Sequence, residues 1–125
     1  MQTKLLKPLT ELYMPINLIR SFKKRMLALS PHPKVRNRLG ALWELDPKDV
    51  LHRRLIVRQD FESEQIEVFA DLVERHGATT FYDCGANFGL YSVLLALRFG
   101  DLSVTAFEPV PKTRALLNRN IALNT

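Results

Sequence analysis

Apolar and polar residues alternate along this chain with two different periods, and the change between them marks its organisation. In residues 16–29, Leu18 and Ile19, then Phe22, Met26 and Leu29, recur at three- and four-residue steps. Arg20, Lys23, Lys24 and Arg25 fall between them, the spacing of a basic amphipathic helix. Pro8 and Pro15 break residues 1–30 into helical pieces. The stretch SPHPKVRNR, residues 30–38, reads as a proline-rich basic connector. Asp46-Pro47 reads as an N-cap followed by proline at the first helical position, opening a helix to about Arg58. A further helix is plain in ESEQIEVFADLVERHG. Ile66, Phe69, Ala70 and Val73 share one face, Glu64, Glu67, Asp71 and Glu74 the other, and His76-Gly77 supplies a stop.

Beyond Gly77 the period shortens. Thr79 to Cys84 reads as a strand, and Leu90 to Phe99 as a helix apolar nearly all round. Gly100-Asp101 turns the chain into a second strand, Leu102 to Glu108. Pro109 and Pro111 then open a last helix, on which Leu117 and Ile121 share a face. The order β-α-β-α predicts an α/β fold with two parallel strands joined by a right-handed crossover, preceded by a mainly helical basic segment. The expected division is residues 1–45 for that segment and 46–125 for the start of an α/β domain.

Composition narrows the function classes. The chain has 125 residues, room for one modest core, and no apolar run near the ~20 residues of a membrane span. A single cysteine, Cys84, excludes an internal disulfide and fits a reducing, cytoplasmic setting. His32, His52 and His76 stand apart without a partner at ligand spacing, so no metal site is expected. Charge is uneven. Residues 1–58 carry 13 Lys/Arg against 4 Asp/Glu, and residues 59–125 carry 5 against 9. The basic half suits an anionic membrane, met through residues 16–29, or acidic surface within the protein, against which the apolar stripe would pack. Aromatic residues are too sparse there for a nucleic-acid groove.

The chemistry gathers in FYDCGANFGLYS, residues 81–92. Ligands of open parallel sheets bind beyond the carboxyl ends of the strands, where this turn would lie. Gly85 permits a backbone conformation closed to other residues and lets a ligand approach, and Gly89 lets the helix start come close to the strand. The second strand ends at Glu108, 23 residues after Gly85, an offset at which a carboxylate can grip a ribose diol. Two cofactor classes share this layout. Dinucleotides favour G-x-G-x-x-G, but the pattern here is G-x-x-x-G, with Asn87 where the middle glycine would admit pyrophosphate. Asp83 adds a charge argument. At ~6 Å from a phosphate it would repel by roughly 3 kcal/mol at an effective dielectric near 20, whereas it would attract a sulfonium or ammonium. Cys84 is read as a buried strand residue without chemistry, and Tyr82 and Phe88 as core. Asn87 either faces the cofactor or stabilises the turn through its side chain.

FYDCGANFGLYS together with AFEPVPKTRALLNRNIALN closely resembles the opening of the FkbM-type methyltransferases, over about residues 60–125. That family reads strand-D-x-G-A-N-x-G-x-Y-S, then A-F-E-P, then a helix ending N-x-x-L-N. The resemblance implies a Rossmann-like sheet and S-adenosyl-L-methionine as cofactor. It implies that Asp83, Gly85, Ala86, Asn87 and Gly89 line the methionine end, that Glu108 holds the ribose hydroxyls, and that Phe107 or Pro109 borders the adenine. Glu62 matches an acid of the family's lead-in. The implied reaction is O-methyl transfer to a hydroxyl of a sugar, glycan or other small metabolite. The family's later strands and acceptor pocket would follow Thr125, so the chain is expected to be a fragment inactive alone, and no catalytic base is assigned in it. Two alternatives stand beside this reading: a dinucleotide-binding oxidoreductase fragment, and a non-enzymatic basic module that associates with membranes.

Overall fold

A computed structural model describes residues 16–29, 32–58 and 60–125. The helical pieces expected before Pro15 lie outside the described residues. The described chain is a mixed α/β fold of five helices and two two-stranded sheets. Helix α1, Ile16–Ala28, leads into an antiparallel hairpin of β1, Lys34–Arg38, and β2, Ala41–Leu45. Two helices follow, α2 over Val50–Val57 and α3 over Ser63–His76. Then come β3, Thr80–Cys84, α4, Leu90–Arg98, β4, Ser103–Phe107, and α5, Pro111–Ala122. β3 and β4 pair in parallel, with Thr80 opposite Ser103 and Cys84 opposite Phe107. The β-α-β-α order read from the sequence is present, with boundaries shifted by one residue at most of the ends.

The hairpin replaces the expected connector. Its two-residue loop, Leu39-Gly40, has φ of 54° and 78°. Positive φ at both positions is what a type I′ turn requires, and Asn-Gly is its usual signature. Leucine meets the requirement at a steric cost, and its side chain packs against the buried cluster beneath the hairpin. β2 alternates strictly, Ala41, Trp43 and Leu45 buried and Leu42 and Glu44 more exposed. Trp43 is fully buried, donates through Nε1 to the Arg38 carbonyl at 2.8 Å and meets Phe88 edge-on.

Helix α2 also starts later than expected. Asp46 is not its cap: Asp46 Oδ1 accepts from the Lys48 N–H and closes a turn around the buried Pro47. Asp49 caps the helix instead, accepting from the N–H groups of Leu51 and His52 at 2.8 and 3.0 Å. Helix α3 ends as its sequence predicts. Gly77 is left-handed at φ 56°, and the Ala78 N–H reaches back to the Val73 carbonyl.

Two apolar clusters hold these elements. In the first, Ala41, Trp43 and Leu45 meet Leu55 and Ile56 of α2, Phe61, Ile66 of α3, and Phe88, Leu90 and Val93 around the start of α4. The second joins Ala70 and Val73 of α3 to Leu95 and Leu102, with Phe81 and Val104 of the parallel pair packed against it. Each side chain buried at Leu or Phe size contributes about 1.5–3 kcal/mol. Residues 90–95 of α4 are buried or half-buried all round, and only its last turn, Ala96, Leu97 and Arg98, is exposed. One expectation fails at the surface: the stripe of α1 does not pack inward, with Phe22 64% and Leu29 77% exposed.

Candidate functional site

The segment between β3 and α4 is built on three consecutive departures from ordinary backbone. Gly85 has φ 90°, Asn87 φ 51° and Gly89 φ 97°. The N–H groups of Gly85 and Ala86 both donate to the Phe107 carbonyl, at 2.9 and 3.0 Å, so the turn stays fastened to the end of β4. Glu108 completes the attachment. Its Oε2 accepts from the Asn87 N–H at 3.0 Å and its Oε1 from the Val110 N–H at 2.9 Å. One carboxylate therefore joins the two carboxyl-end turns and marks the approach to α5. Gly85, Ala86, Asn87, Phe107 and Glu108 meet at one edge of the parallel pair, and Pro109 follows directly.

The glycines do different things. A Cβ on Gly85 would meet nothing within 4 Å, so the turn is open to the outside there. A Cβ on Gly89 would lie 2.6 Å from Leu117 Cδ1. The close approach that Gly89 permits is to α5, where closeness to the strand was expected.

Asp83 is buried in this corner. Its Oδ2 accepts from Ser92 twice, from the N–H at 3.2 Å and from the hydroxyl at 2.6 Å. The reason is local: α4 begins at Gly89, which has no side chain to cap it. A carboxylate from the neighbouring strand takes over that duty at the positive end of the helix. Among the described residues Asp83 Oδ1 has no hydrogen-bond partner. Asn87 is held by its backbone; among the described residues its side chain makes no hydrogen bond.

Two sequence expectations are corrected on the opposite face of the pair. Cys84 is exposed, because it shares a face with Thr80 and Tyr82 that no described element covers. Tyr82 is 65% exposed and lies at a tilt beside Phe107, 6.2 Å between ring centres. Phe88 is core, as expected, edge-on to both Trp43 and His52.

The surroundings supply residues that sequence reasoning missed. Asn120 is fully buried; its Nδ2 donates to the Phe88 carbonyl and its Oδ1 accepts from the Glu44 N–H. Asn124 both accepts from and donates to the backbone of Leu42. The two asparagines of N-x-x-L-N thus act as a surrogate strand along the outer edge of β2. Tyr91 donates to Glu62 Oε2 at 2.6 Å, tying the lead-in acid to α4. Burial first, and then that bond, push the Tyr91 hydroxyl up to about 12. Burial likewise lowers the His52 pKa, against the charges of Asp49 and Asp46. His52 Nδ1 accepts from the Asp46 N–H at 3.0 Å, which leaves its ring neutral beside Phe88. The signal for Asn120 was visible, a polar residue at the helix position next to the buried Leu117 and in step with Leu116.

An apolar cavity of about 310 Å³ lies between α4, β4 and α5, lined by Val93, Leu102, Val104 and Ile121 among others. It touches Ser92 but none of the glycine turn or Glu108. Among the described residues, no three His, Cys, Asp or Glu side chains are grouped to hold a metal, and no helix is long and apolar enough to cross a membrane.

No family model matches the chain, and no solved structure matches it. Among curated proteins, a stretch of 42 residues is 43% identical to Methyltransferase sdnD of Sordaria araneosa. That stretch is 34% of this chain and 16% of the length of that protein, a partial likeness to a methyltransferase.

Proposed function

We propose that the carboxyl edge of β3 and β4 is the donor-binding edge of an S-adenosylmethionine-dependent methyltransferase of the FkbM type, acting on a hydroxyl of a sugar or other metabolite. The observation that carries this reading is the convergence at Glu108, where one carboxylate sits between the open glycine turn and the start of α5. Each Glu108 oxygen uses one lone pair on a backbone N–H and keeps another for a ribose hydroxyl. Gly85 leaves free the space that a side chain would fill. The partial likeness to a methyltransferase agrees in reaction class.

Bound there, S-adenosylmethionine would supply a methyl group activated by a sulfonium and open to in-line attack by an acceptor oxygen. This chain's own contribution is to hold and orient. Glu108 takes the ribose diol, the Gly85–Asn87 backbone faces the donor, and Phe107 and Pro109 border the base. Asp83 favours a cationic ligand over an anionic one by the sign of its charge. Its bond to the Ser92 N–H also disfavours the dinucleotide reading. A pyrophosphate seated at the start of α4 would compete with a carboxylate for that donor.

Calorimetric titration of the chain with S-adenosylmethionine, its demethylated product and NAD tests the proposal. The donor and its demethylated product are expected to bind and NAD to leave no heat of binding. Glu108→Gln should weaken donor binding by about 1–3 kcal/mol, the worth of a charge-assisted hydrogen bond. Binding of NAD with none of the donor would overturn the assignment.

A further inference from the structure

Helix α1 presents an apolar surface that the described fold does not use. At ~100° per residue, Leu18, Ile19, Phe22, Met26 and Leu29 fall within about 100° of arc. All five are exposed, four of them by more than half their surface. Arg25 lies at one margin of this arc and Lys23 beyond the other, both exposed. Arg20, on roughly the opposite side, is half-buried. Its charge reaches Asp60, whose carboxyl is held down first by its hydrogen bond from Arg58 and, more weakly, by Arg20. The Arg20 side thus faces the body of the protein, where α1 lies against α2, and the stripe faces away.

From this geometry we propose that α1 is an interfacial helix that seats the protein on an anionic lipid surface. The stripe would enter the boundary between headgroups and acyl chains, and Lys23 and Arg25 would meet the headgroup phosphates on either side. Charge complementarity selects this occupant. Residues 1–58 carry 13 Lys/Arg against 4 Asp/Glu, and the acidic half of the chain holds the candidate site. An amphipathic helix with basic margins and bulky aliphatic residues on its free face is the pattern that binds such interfaces. Nucleic acid fits less well. A phosphate backbone offers nothing to Leu18, Met26 and Leu29, and Phe22 is the sole aromatic residue of the helix available to stack on a base. The helix is far too short to span a bilayer.

Co-sedimentation of the full chain with vesicles tests this directly. Vesicles of phosphatidylcholine with about a third phosphatidylserine should capture the chain at low salt, and pure phosphatidylcholine should not. Raising salt should release it. A Lys23→Gln/Arg25→Gln variant should lower the partition constant roughly thirtyfold, from about a fivefold loss per charge. Phe22→Glu should lower it by roughly tenfold or more while leaving the circular dichroism unchanged, since Phe22 is free of the core. Failure to bind anionic vesicles at low salt sinks the proposal. So does undiminished binding by Phe22→Glu. Retention of a DNA or RNA duplex without vesicle binding would reassign the helix to nucleic acid, and a dimer in sedimentation equilibrium dispersed by Phe22→Glu would reassign it to a second copy. Calorimetric donor binding reads a separate edge of the fold, so its failure and this one are distinguishable.

Discussion

The described residues form two sheets of two strands each, and they are finished to different degrees. In the antiparallel hairpin β2 buries one face completely, and asparagines and an arginine in and just after α5 cover its outer edge. The parallel pair buries Asp83 and half-buries Phe81, Val104 and Ala106 on one face. On its other face Thr80, Tyr82, Cys84, Ser103, Thr105 and Phe107 are all exposed. Parallel strands are ordinarily covered on both faces, so the contrast is informative. The hairpin is scaffold, made rigid before anything binds. The pair carries the proposed donor-binding edge, and the glycine turn at that edge is attached to the hairpin through α5.

That attachment passes through Asn120, and removing it should have the largest effect. Asn120→Ala deletes a fully buried side chain and strands the Phe88 carbonyl and the Glu44 N–H without partners. The expected loss is about 2–4 kcal/mol, from lost hydrogen bonds and the desolvation of the groups left behind. Urea unfolding measures it. Hydrogen exchange adds the discriminating result: the Glu44 amide in the hairpin and amides of the Gly85–Gly89 turn should lose protection together. Loss confined to one of the two would mean that Asn120 fills space in one sheet and does not brace both.

The sequence disclosed the two halves unequally, for the same physical reasons. The region from Ser63 onward carries its signals locally: a clean helical stripe, a glycine stop, then strand, glycine turn and apolar helix. Its fold and the gathering of Gly85, Asn87 and Glu108 were legible because each element is long for its period and bounded by glycine or proline. The hairpin was hidden because β1, KVRNR, is almost wholly polar and the turn is Leu-Gly. Alternation in ALWEL was the available clue. Asp46 and Asp49 compete as caps, and the choice depends on burying Pro47, which no local pattern shows. Cys84 and Tyr82 misled for a tertiary reason, since a strand of an α/β fold is expected to be covered on both faces.

Gly89 and Gly85 sharpen the contrast at smaller scale. Both are left-handed, yet only Gly89 is crowded, with Leu117 Cδ1 2.6 Å from the position of a Cβ. Gly89→Ala should cost about 2–3 kcal/mol, adding a clash with the α5 core to backbone strain. Gly85→Ala meets open space and should cost only about 1 kcal/mol of strain. Its larger effect should fall on donor binding, because the added methyl occupies the free space beside the turn. Equal stability losses with unchanged donor binding would show that Gly85 serves the turn alone.

The smallest expected effect is a pH dependence that links the lead-in helix to the turn. His52 of α2 is buried against Phe88, and burial holds its pKa below the ordinary 6.5. The nearby charges of Asp49 and Asp46 oppose that shift without reversing it. In the unfolded chain the imidazole gains a proton near its ordinary pKa, whereas in the folded chain it resists. Between the two values the unfolded state holds more protons, so stability is complete above about pH 6.5 and declines as pH falls below it. Protonation at Nδ1 would also cancel the bond from the Asp46 N–H, which loosens the turn around Pro47. Urea midpoints at about pH 7.5 and about pH 5.5 measure the slope, in a window above the ordinary carboxylate range. His52→Gln should be less stable at the higher pH and show a flatter profile. An unchanged slope in His52→Gln would locate the titration elsewhere and detach α2 from the behaviour of the glycine turn.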